Sequence, residues 1–442
     1  MGIREKLVIR NFFSILNFEW DVKGFNVLTG GMATGKSIAL KLLYFCEQII
    51  HQTILDPSIN KDIFEKDTFF KRVEDKFYKL FKSNNHSIDF SNTMILYIYS
   101  NIDKEQKEYD LFEMDNFEFD LLAQWNRKTN RLQWSSKYIE SKLEKWQKYF
   151  DEPKTPDFLD SVRNKIFESL YSDFSNDFPL AAMFIPASRA IAAIANSVSS
   201  QDQFINGFMN LRSFTWSFHE IGDISSSLVN EILHLKNISI DKNNKQPAFE
   251  LFNDRIISSL ELSSGQQELL YLLLLINDLK NTSFKYGKNA SIFIEEPSAH
   301  LFPKEQKETI EFLVTSFNSL TKCTSGESSY RFFISTHSPY VLNTINNILE
   351  KGRLLNIANT LTTANNKKSI LEEIENLPFP HLAINDVSAY MIEDNGYVKS
   401  MINTEGDDSY IYSEVIEKIT EDISKETNDL YTLNAKIRSI TL

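Results

Sequence analysis

The sequence predicts an α/β fold with a mixed β-sheet and an inserted region of helices and strands. The first observation is a short apolar strand at residues 25–29, followed by a glycine-rich loop at 30–37 and a helix-forming segment at 38–45. The second is a pair of later apolar strands, at 291–294 and 331–334, which both end in polar side chains. Strands that alternate with helices and carry polar residues at their carboxyl ends are typical of α/β sheets with a ligand at that edge.

The glycine-rich loop fits the phosphate-binding pattern Gly-x-x-x-x-Gly-Lys-Ser. Gly30 and Gly35 allow backbone angles that a side chain would forbid, and the turn directs several N–H groups inward as a nest for phosphate oxygens. Lys36 is expected to reach the β- and γ-phosphates, and the Ser37 hydroxyl to bind Mg²⁺. The helix that follows adds the dipole of its N-terminus, so the segment predicts an ATP site. The predicted nucleotide-binding residues of this loop are Gly30, Gly31, Met32, Ala33, Thr34, Gly35, Lys36, Ser37 and Ile38.

Composition restricts the classes of partner and compartment. The net charge of −13 argues against general attraction to nucleic acid, because phosphate binding depends on Lys and Arg, and it leaves only a local basic face open. The two cysteines, Cys46 and Cys323, predict neither a disulfide framework nor a zinc site. The longest apolar stretch, residues 269–276, is too short for a membrane span, and no signal peptide is recognised. A cytoplasmic protein without a membrane partner is therefore expected.

Between the glycine-rich loop and the later apolar strands, the sequence predicts further helices and strands. Apolar spacing predicts amphipathic helices at residues 66–82 and 139–150, both with lysines on the polar side, and solvated surface faces are favoured over nucleic-acid contacts. Residues 94–99 are predicted to form a strand that pairs with residues 109–119. Residues 201–260 are predicted to alternate helical segments with polar breaks.

A second anion-binding candidate precedes the apolar helix at residues 268–279. Ser263, Ser264, Gly265 and Gln266 form a turn that places N–H groups and hydroxyls at a helix N-terminus. A plain helix cap is the alternative, since serine is a good capping residue.

Acidic and imidazole side chains follow the two later strands. Glu295 and Glu296 come directly after the apolar strand at 291–294, and His337 follows the strand at 331–334. One carboxylate can hold Mg²⁺ through water and the next can polarise an attacking water, while the imidazole can contact the γ-phosphate or that water.

The order of these motifs resembles an ABC-type ATPase head. Leu-Ser-x-Gly-Gln at 262–266, Glu-Glu-Pro at 295–297 and Ser-Thr-His-Ser-Pro at 335–339 follow the P-loop, as in the cytosolic SMC, RecF and OLD-like ATPases (the AAA_15 and AAA_21 group). Residues 299–303 resemble the D-loop of that group, and residues 184–189 a strand–Pro–Arg element common there. The resemblance implies a discontinuous head at residues 1–50 and 182–345, with an inserted region at 51–181 and a C-terminal part at 346–442. In that C-terminal part, an Asn-Gly turn predicts a hairpin at 390–398, and an acidic helix is predicted at about 412–428.

The resemblance also implies roles. Ser37 and Glu295 would hold Mg²⁺, Glu296 would be the catalytic base and His337 the switch histidine, while Ser263 and Gly265 would meet the γ-phosphate bound by a second subunit. ATP and Mg²⁺ are the implied cofactors, and a homodimer or higher homo-oligomer with ATP between the heads is the implied assembly. This chain departs from the family pattern in two respects: Glu295 stands where Asp is usual, and the Q-loop glutamine is not identifiable, with Gln124 or Arg189 as candidates.

An ATPase head of this kind acts through partner proteins, which determine its biological effect. Standalone ATPases of this pattern resemble subunits of bacterial antiphage systems of the Septu-like and PARIS-like kinds, which act with a separate nuclease or toxin. Residues 404–408 faintly resemble the start of a Toprim nuclease, but no Asp-x-Asp follows, so no nuclease is predicted in this chain. A RecF-like DNA-repair ATPase and a nucleotide-locked scaffold with little hydrolysis are the alternatives.

Overall fold

The computed structural model describes most of the chain. The described residues are 2–54, 59–81, 90–102, 118–129, 131–152, 156–174, 181–187, 236–240, 247–258, 261–281, 290–322, 330–360, 364–403, 410–411 and 425. The chain divides into two compact units, Met1–His337 with Asn385–Ser400, and Ser338–Ile384 with Met401–Leu442. No helix within the described ranges is long and apolar enough to cross a membrane.

The first unit contains both the glycine-rich loop and the two later apolar strands. Its described strands are β1 (Gly2–Phe12), β2 (Ile15–Asp21), β3 (Phe25–Gly30), β4 (Met94–Ile102), β5 (Glu118–Asn126), β6 (Arg131–Ser135), β7 (Ala181–Ile185), β8 (Asn237–Ile240), β9 (Pro247–Glu250), β10 (Ile256–Ser258), β11 (Ala290–Glu295), β12 (Tyr330–Ser335), β13 (Val387–Ile392) and β14 (Val398–Ser400). Its described helices are α1 (Lys36–Ile54), α2 (Lys66–Phe81), α3 (Lys137–Lys148), α4 (Phe158–Phe174), α5 (Ser264–Asn281) and α6 (Pro303–Lys322), with short 3-10 turns at Lys61–Phe64 and Tyr149–Asp151.

A mixed sheet of order β14-β13-β3-β12-β11-β7 carries the predicted site. Its strands from β13 to β7 are parallel, and β14 is antiparallel to β13. Apolar side chains fill the face under α1, where the rings of Phe293 and Phe333 stack with centroids 4.3 Å apart and Tyr44 packs on Phe293. Parallel pairing brings the carboxyl ends of β3, β11 and β12 to one edge, as the sequence predicts. The α/β class and the mixed sheet are confirmed.

An antiparallel sheet of order β2-β1-β4-β5-β6 forms the second layer of this unit. Helix α2 buries Phe69, Val73 and Phe77 on one face, which confirms the amphipathic pattern. Helix α3 begins at a Ser136 cap, whose hydroxyl accepts the backbone N–H of Ile139 at 3.0 Å. The strand paired with β4 is β5, which starts at Glu118, so most of the predicted 109–119 strand lies outside the described residues.

Residues 236–258 differ from the sequence prediction. Where they are described they form the small antiparallel sheet β10-β9-β8, so the helical interpretation of this stretch is wrong. A tight turn after β9, with Asp254 at φ +63°, brings β10 back onto it, and such turn chemistry competes with helical spacing over short segments.

A buried ionic cluster links the two layers at the sheet edge opposite the glycine-rich loop. Arg331 of β12 pairs with Glu5 of β1, lies 3.4 Å from a carboxylate oxygen of Glu47 on α1, and donates to the Ser291 hydroxyl at 2.7 Å. Burial raises the pKa of Glu47 well above its ordinary value and lowers the pKa of Arg331 to about 9. The cluster ties α1 and both sheets to one cation.

The second unit contains α7 (Pro339–Thr360), α8 (Ala364–Glu375), β15 (Ile402–Asn403) and β16 (Tyr410–Ile411). Lys351 of α7 donates to the carbonyls of Leu377 and Phe379 at 2.7 and 2.6 Å, which holds the turn after α8. The predicted hairpin at 390–398 is confirmed as β13–β14, and it belongs to the sheet of the first unit. Outside the described residues lie the predicted acidic helix at 412–428 (apart from residue 425), Cys323, Ser188, Arg189 and the 404–408 segment.

Candidate functional site

The loop after β3 has the backbone of a phosphate nest. Gly30 and Gly35 have φ values of +143° and +113°, in a region that side chains disfavour. A Cβ on Gly30 would overlap the carbonyl oxygen of Ile392 in β13, and one on Gly35 would lie 2.6 Å from the Ser14 hydroxyl. Ala33 also has a positive φ, +60°. The two glycines are therefore required by the loop geometry and by their neighbours together.

Lys36 closes over this loop. Its ammonium donates to the carbonyls of Gly30 and Gly31 at 3.0 and 2.7 Å, and the residue is only 8% exposed. Burial lowers the pKa of Lys36, and the negative charge of Glu296 partly opposes this shift. The ammonium thus lies at the phosphate nest and within electrostatic reach of the carboxylate beyond it.

A pocket of about 510 Å³ opens above the loop. It is lined by Phe13, Ser14, Met32, Ala33, Thr34, Gly35, Lys36, Ser37, Ile38, Glu296 and His337. The structure therefore gathers into one cavity most of the loop with the carboxylate and imidazole predicted from two distant strands.

Glu296 and His337 form a pair across this pocket. The Nδ1 atom of His337 lies 2.9 Å from a carboxylate oxygen of Glu296. Glu296 has left the strand: its φ is +44°, and its N–H donates to the carbonyl of Ser335 at 2.9 Å. This turn directs the Glu296 side chain into the cavity, whereas the preceding residue keeps the strand alternation.

Glu295 occupies a different environment. It is in register with Ser335 and on the same face of the sheet as Phe293, beneath α1. One carboxylate oxygen lies 3.6 Å from the Lys41 ammonium, and the other accepts the N–H of Ala187 at 3.2 Å. The residue is 4% exposed and is not one of the residues that line the pocket.

The oxygen donors here suit a hard cation. Ser37 and Glu296 present a hydroxyl and a carboxylate to the pocket, and the Ser335 hydroxyl is buried with no hydrogen-bond partner among the described residues. These are the ligand types that Mg²⁺ prefers, usually together with nucleotide oxygens and water. In the described part of the chain no group of three or more His, Cys, Asp or Glu side chains could hold a metal by itself.

The 262–267 segment forms a reciprocal helix cap. The N–H of Gln266 donates to the Ser263 hydroxyl at 3.3 Å, and the N–H of Ser263 donates to the Gln266 side chain at 3.1 Å. Ser264 begins α5, and a Cβ on Gly265 would lie 2.9 Å from the carbonyl oxygen of His300. None of these residues lines the pocket of its own chain. Within a single chain, this segment therefore acts as a helix cap, which was the alternative to an anion site.

Two pocket residues were missed by the sequence analysis. Phe13 is 40% exposed with φ +52°, and the Ser14 hydroxyl donates to the carbonyl of Thr34 at 2.8 Å. Both lie in the turn between β1 and β2. The available signal was an adjacent aromatic pair at a strand end. The structure does not bring Gln124 to the pocket; it lines a separate groove along α2, β5 and β6.

Among solved structures, the chain is similar to an SMC head bound to the C-terminal winged-helix domain of ScpA (14% identity, 94% of this chain and 99% of that one, TM-score 0.37). It is also similar to the SMC head domain from Thermotoga maritima (12% identity, 78% and 92%, TM-score 0.32) and to the recombination mediator RecF with a bound ATP analogue (10%, 90% and 98%, TM-score 0.31). At these TM-scores the similarity carries no functional argument.

The family assignment comes from the sequence. No curated protein matches the chain. The family model described as an AAA ATPase domain matches residues 47–342, which is about two thirds of the sequence and runs from the middle of α1, through the 262–267 cap and Glu296, to just beyond His337. With the phosphate loop immediately before that match, the chain belongs to the AAA ATPase domain family.

Proposed function

We propose that this protein is an ABC-type ATPase that binds and hydrolyses ATP, and that its nucleotide-dependent dimerisation controls a separate nuclease or toxin in antiphage defence. The observation that carries the enzymatic part is the pocket in which the phosphate loop faces the Glu296–His337 pair. Family membership supports ATP as the ligand.

We assign different parts of the nucleotide to different residues at the site. The loop N–H groups and the Lys36 ammonium, which would exchange the carbonyls of Gly30 and Gly31 for phosphate oxygens, bind the triphosphate. Phe13 offers an exposed aromatic face at the same cavity for the base. Ser37 of the pocket would hold Mg²⁺ together with Glu295, which lies outside the pocket lining and would have to turn toward the ion; when bound, Mg²⁺ neutralises charge on the β- and γ-phosphates.

Glu296 is the proposed general base for hydrolysis. Its carboxylate accepts a proton as a water attacks the γ-phosphorus, a phosphorus–oxygen bond to that water forms, and the bond to the bridging oxygen of ADP breaks. His337, 2.9 Å from Glu296, holds the carboxylate in one orientation and lies beside the water.

Dimerisation is proposed because the predicted γ-phosphate contacts are not in the pocket of their own chain. Ser263 is exposed, and neither it nor Gly265 lines the cavity. Met32, at the mouth of the cavity, is 89% exposed. A second copy that covers this opening would bury Met32 and bring its own Ser263 to the nucleotide.

The defence role rests on the resemblance to ATPase subunits of Septu-like and PARIS-like systems. In this proposal the ATP-bound dimer retains the effector and releases or activates it on a trigger. Genes for a nuclease or toxin beside this gene would support the proposal. Copurification of the encoded nuclease or toxin with this protein in the presence of ATP would support it as well. Repair genes in that position would count against it.

A pair of charge-neutralising variants tests the enzymatic part. Glu296→Gln should bind ATP, lose most phosphate release and accumulate as dimers in light-scattering chromatography, because the nucleotide is no longer turned over. Glu350→Gln, at an exposed pair with Arg353 in the second unit, is the matched control and should behave as wild type. Wild-type turnover by Glu296→Gln would show that this residue is not the base.

One observation favours the RecF-like alternative. The groove along α2, β5 and β6 carries the cationic residues Lys66, Lys71, Arg127, Lys128 and Arg131. Only part of this charge is neutralised locally, since Lys66 pairs with Glu140 at 2.7 Å and Arg131 with Glu74 at 3.0 Å. DNA-stimulated ATPase activity that falls steeply with salt, and that Arg127→Glu removes, would favour a DNA-binding function over effector control.

A further inference from the structure

The carboxylate of Glu295 is held by groups of its own chain. Strand alternation places it with Phe293 on the face of the sheet that α1 covers. There the Lys41 ammonium lies 3.6 Å from one oxygen, and the backbone N–H of Ala187, just after β7, donates to the other. Because the Glu295 side chain is almost fully buried, the ammonium interacts with it under little solvent screening.

Helix geometry relates this pair to the phosphate loop. Lys41 follows Ser37 by four residues on α1, so the two residues share one helix face, with their Cα atoms about 6 Å apart along the axis. On this face of α1, the group that contacts Glu295 is the Lys41 ammonium. This agrees with the absence of Glu295 from the pocket that Ser37 and Glu296 line.

We propose that Lys41 is a positioning residue that retains Glu295 in a metal-free arrangement, so that Mg²⁺ arriving with the nucleotide must compete with an ammonium for this carboxylate. The inference rests on the proposed ATPase function. Lys41 and Mg²⁺ are both cations and repel each other when both approach Glu295. Lys41 therefore sets the Mg²⁺ concentration that the nucleotide site requires.

The competition has a structural consequence. When Glu295 turns toward the metal, its contact with the Ala187 N–H is released as well. Mg²⁺ binding is thereby connected to the segment that leaves β7, and the Glu side chain, longer than the usual Asp, has the reach to serve both arrangements.

The first test measures binding of a fluorescent, non-hydrolysable ATP analogue to the full chain at increasing Mg²⁺. Lys41→Met removes the charge and keeps the apolar stem, and it should lower the Mg²⁺ concentration for half-maximal binding by about tenfold. Lys41→Arg, which keeps the charge, should stay within about twofold of wild type. Lys61→Met removes an exposed pair with Asp151 on another surface and should change nothing.

The outcomes separate this inference from the proposed function. If wild-type protein binds no ATP analogue at any Mg²⁺ concentration, the ATPase proposal fails. If wild type binds but Lys41→Met shows the same or a higher Mg²⁺ requirement, or if binding is Mg²⁺-independent in both, the role of Lys41 is overturned and the ATPase proposal stands.

A second test needs no variant, so it does not depend on whether Lys41→Met folds. An acetylating reagent is applied to the wild-type chain in the presence of the ATP analogue, either with saturating Mg²⁺ or with a chelator, and modification of Lys41 is read by peptide mass spectrometry. In the presence of Mg²⁺, release of Lys41 from Glu295 should raise the acetylation of Lys41, normalised to that of Lys61, by about threefold or more over the value in chelator. Equal labelling in both conditions would contradict the competition.

Discussion

The two glycines at the start of the phosphate loop should respond very differently to a single methyl group. Gly30 has φ +143°, and a Cβ there would overlap the carbonyl oxygen of Ile392 in the neighbouring strand β13. Gly31 meets only a side chain, since a Cβ there would lie 2.9 Å from a carboxylate oxygen of Asp394, which is exposed and can turn away. Gly30→Ala and Gly31→Ala are therefore a matched pair.

The magnitudes follow from these contacts. In Gly30→Ala, the disfavoured φ costs about 1–3 kcal/mol and displacement of the strand carbonyl about another 1–3 kcal/mol. At about 1.4 kcal/mol per tenfold, ATP binding should weaken by about 30-fold or more. In Gly31→Ala the cost is a side-chain rotation, below about 1 kcal/mol, and binding should change less than about fivefold.

The assay is the dissociation constant for a fluorescent ATP analogue, with a thermal melt of each variant to detect unfolding. Asp394→Ala in the Gly31→Ala background should restore wild-type affinity, because it removes the group that the methyl meets. Equal affinities for Gly30→Ala and Gly31→Ala would refute the reasoning, since the backbone of β13 would then be no constraint on the loop.

Three further variants test the surroundings of the site. Burial raises the pKa of Glu47, so the folded state keeps a proton that the unfolded chain releases above about pH 4.5, and wild type should lose stability as pH rises above this value. The melting temperature of Glu47→Gln should therefore rise relative to that of wild type over the same change in pH, whereas a constant difference would contradict this. Asn26→Ala removes hydrogen bonds of 2.6–2.8 Å to Lys23 and Ser388. It should lower the free energy of unfolding of the first unit by about 2–4 kcal/mol in chemical denaturation. Asn343→Ala, at an exposed position, is the control and should leave the free energy of unfolding unchanged. Ala33→Gly removes the strain of a left-handed backbone conformation at residue 33, so it should retain or slightly improve ATP affinity. A clear loss of affinity would show that the Ala33 methyl makes a necessary contact.

The strands and helices of the site were predictable because their signals are local. The apolar runs that became β3, β11 and β12 end at glycine or polar residues, and the glycine pattern marks the loop without any knowledge of its partners. The hairpin of β13 and β14 was equally visible from its Asn-Gly turn. Its pairing with β3 was not, because register between segments about 360 residues apart leaves no local mark.

Sequence also could not distinguish the environments of the two adjacent glutamates. Both follow the same buried strand, and the difference between them is one backbone angle, φ +44° at Glu296. That turn sends Glu296 toward the pocket and leaves Glu295 beneath α1 beside Lys41. Phe13 was missed for a similar reason, since its role in the pocket depends on the turn after β1 and not on its neighbours in sequence.

The strand order around β3 has a consequence for biosynthesis. Strand β3 pairs with residues 332–335 on one side and 387–392 on the other, so the N-terminal phosphate loop gains its supports only after most of the chain has been synthesised. Pairings of such long sequence separation form late and slowly. The growing chain should therefore be unable to take up ATP until β13 has been translated and docked. ATP would then bind only the completed first unit and stabilise it against unfolding by mass action.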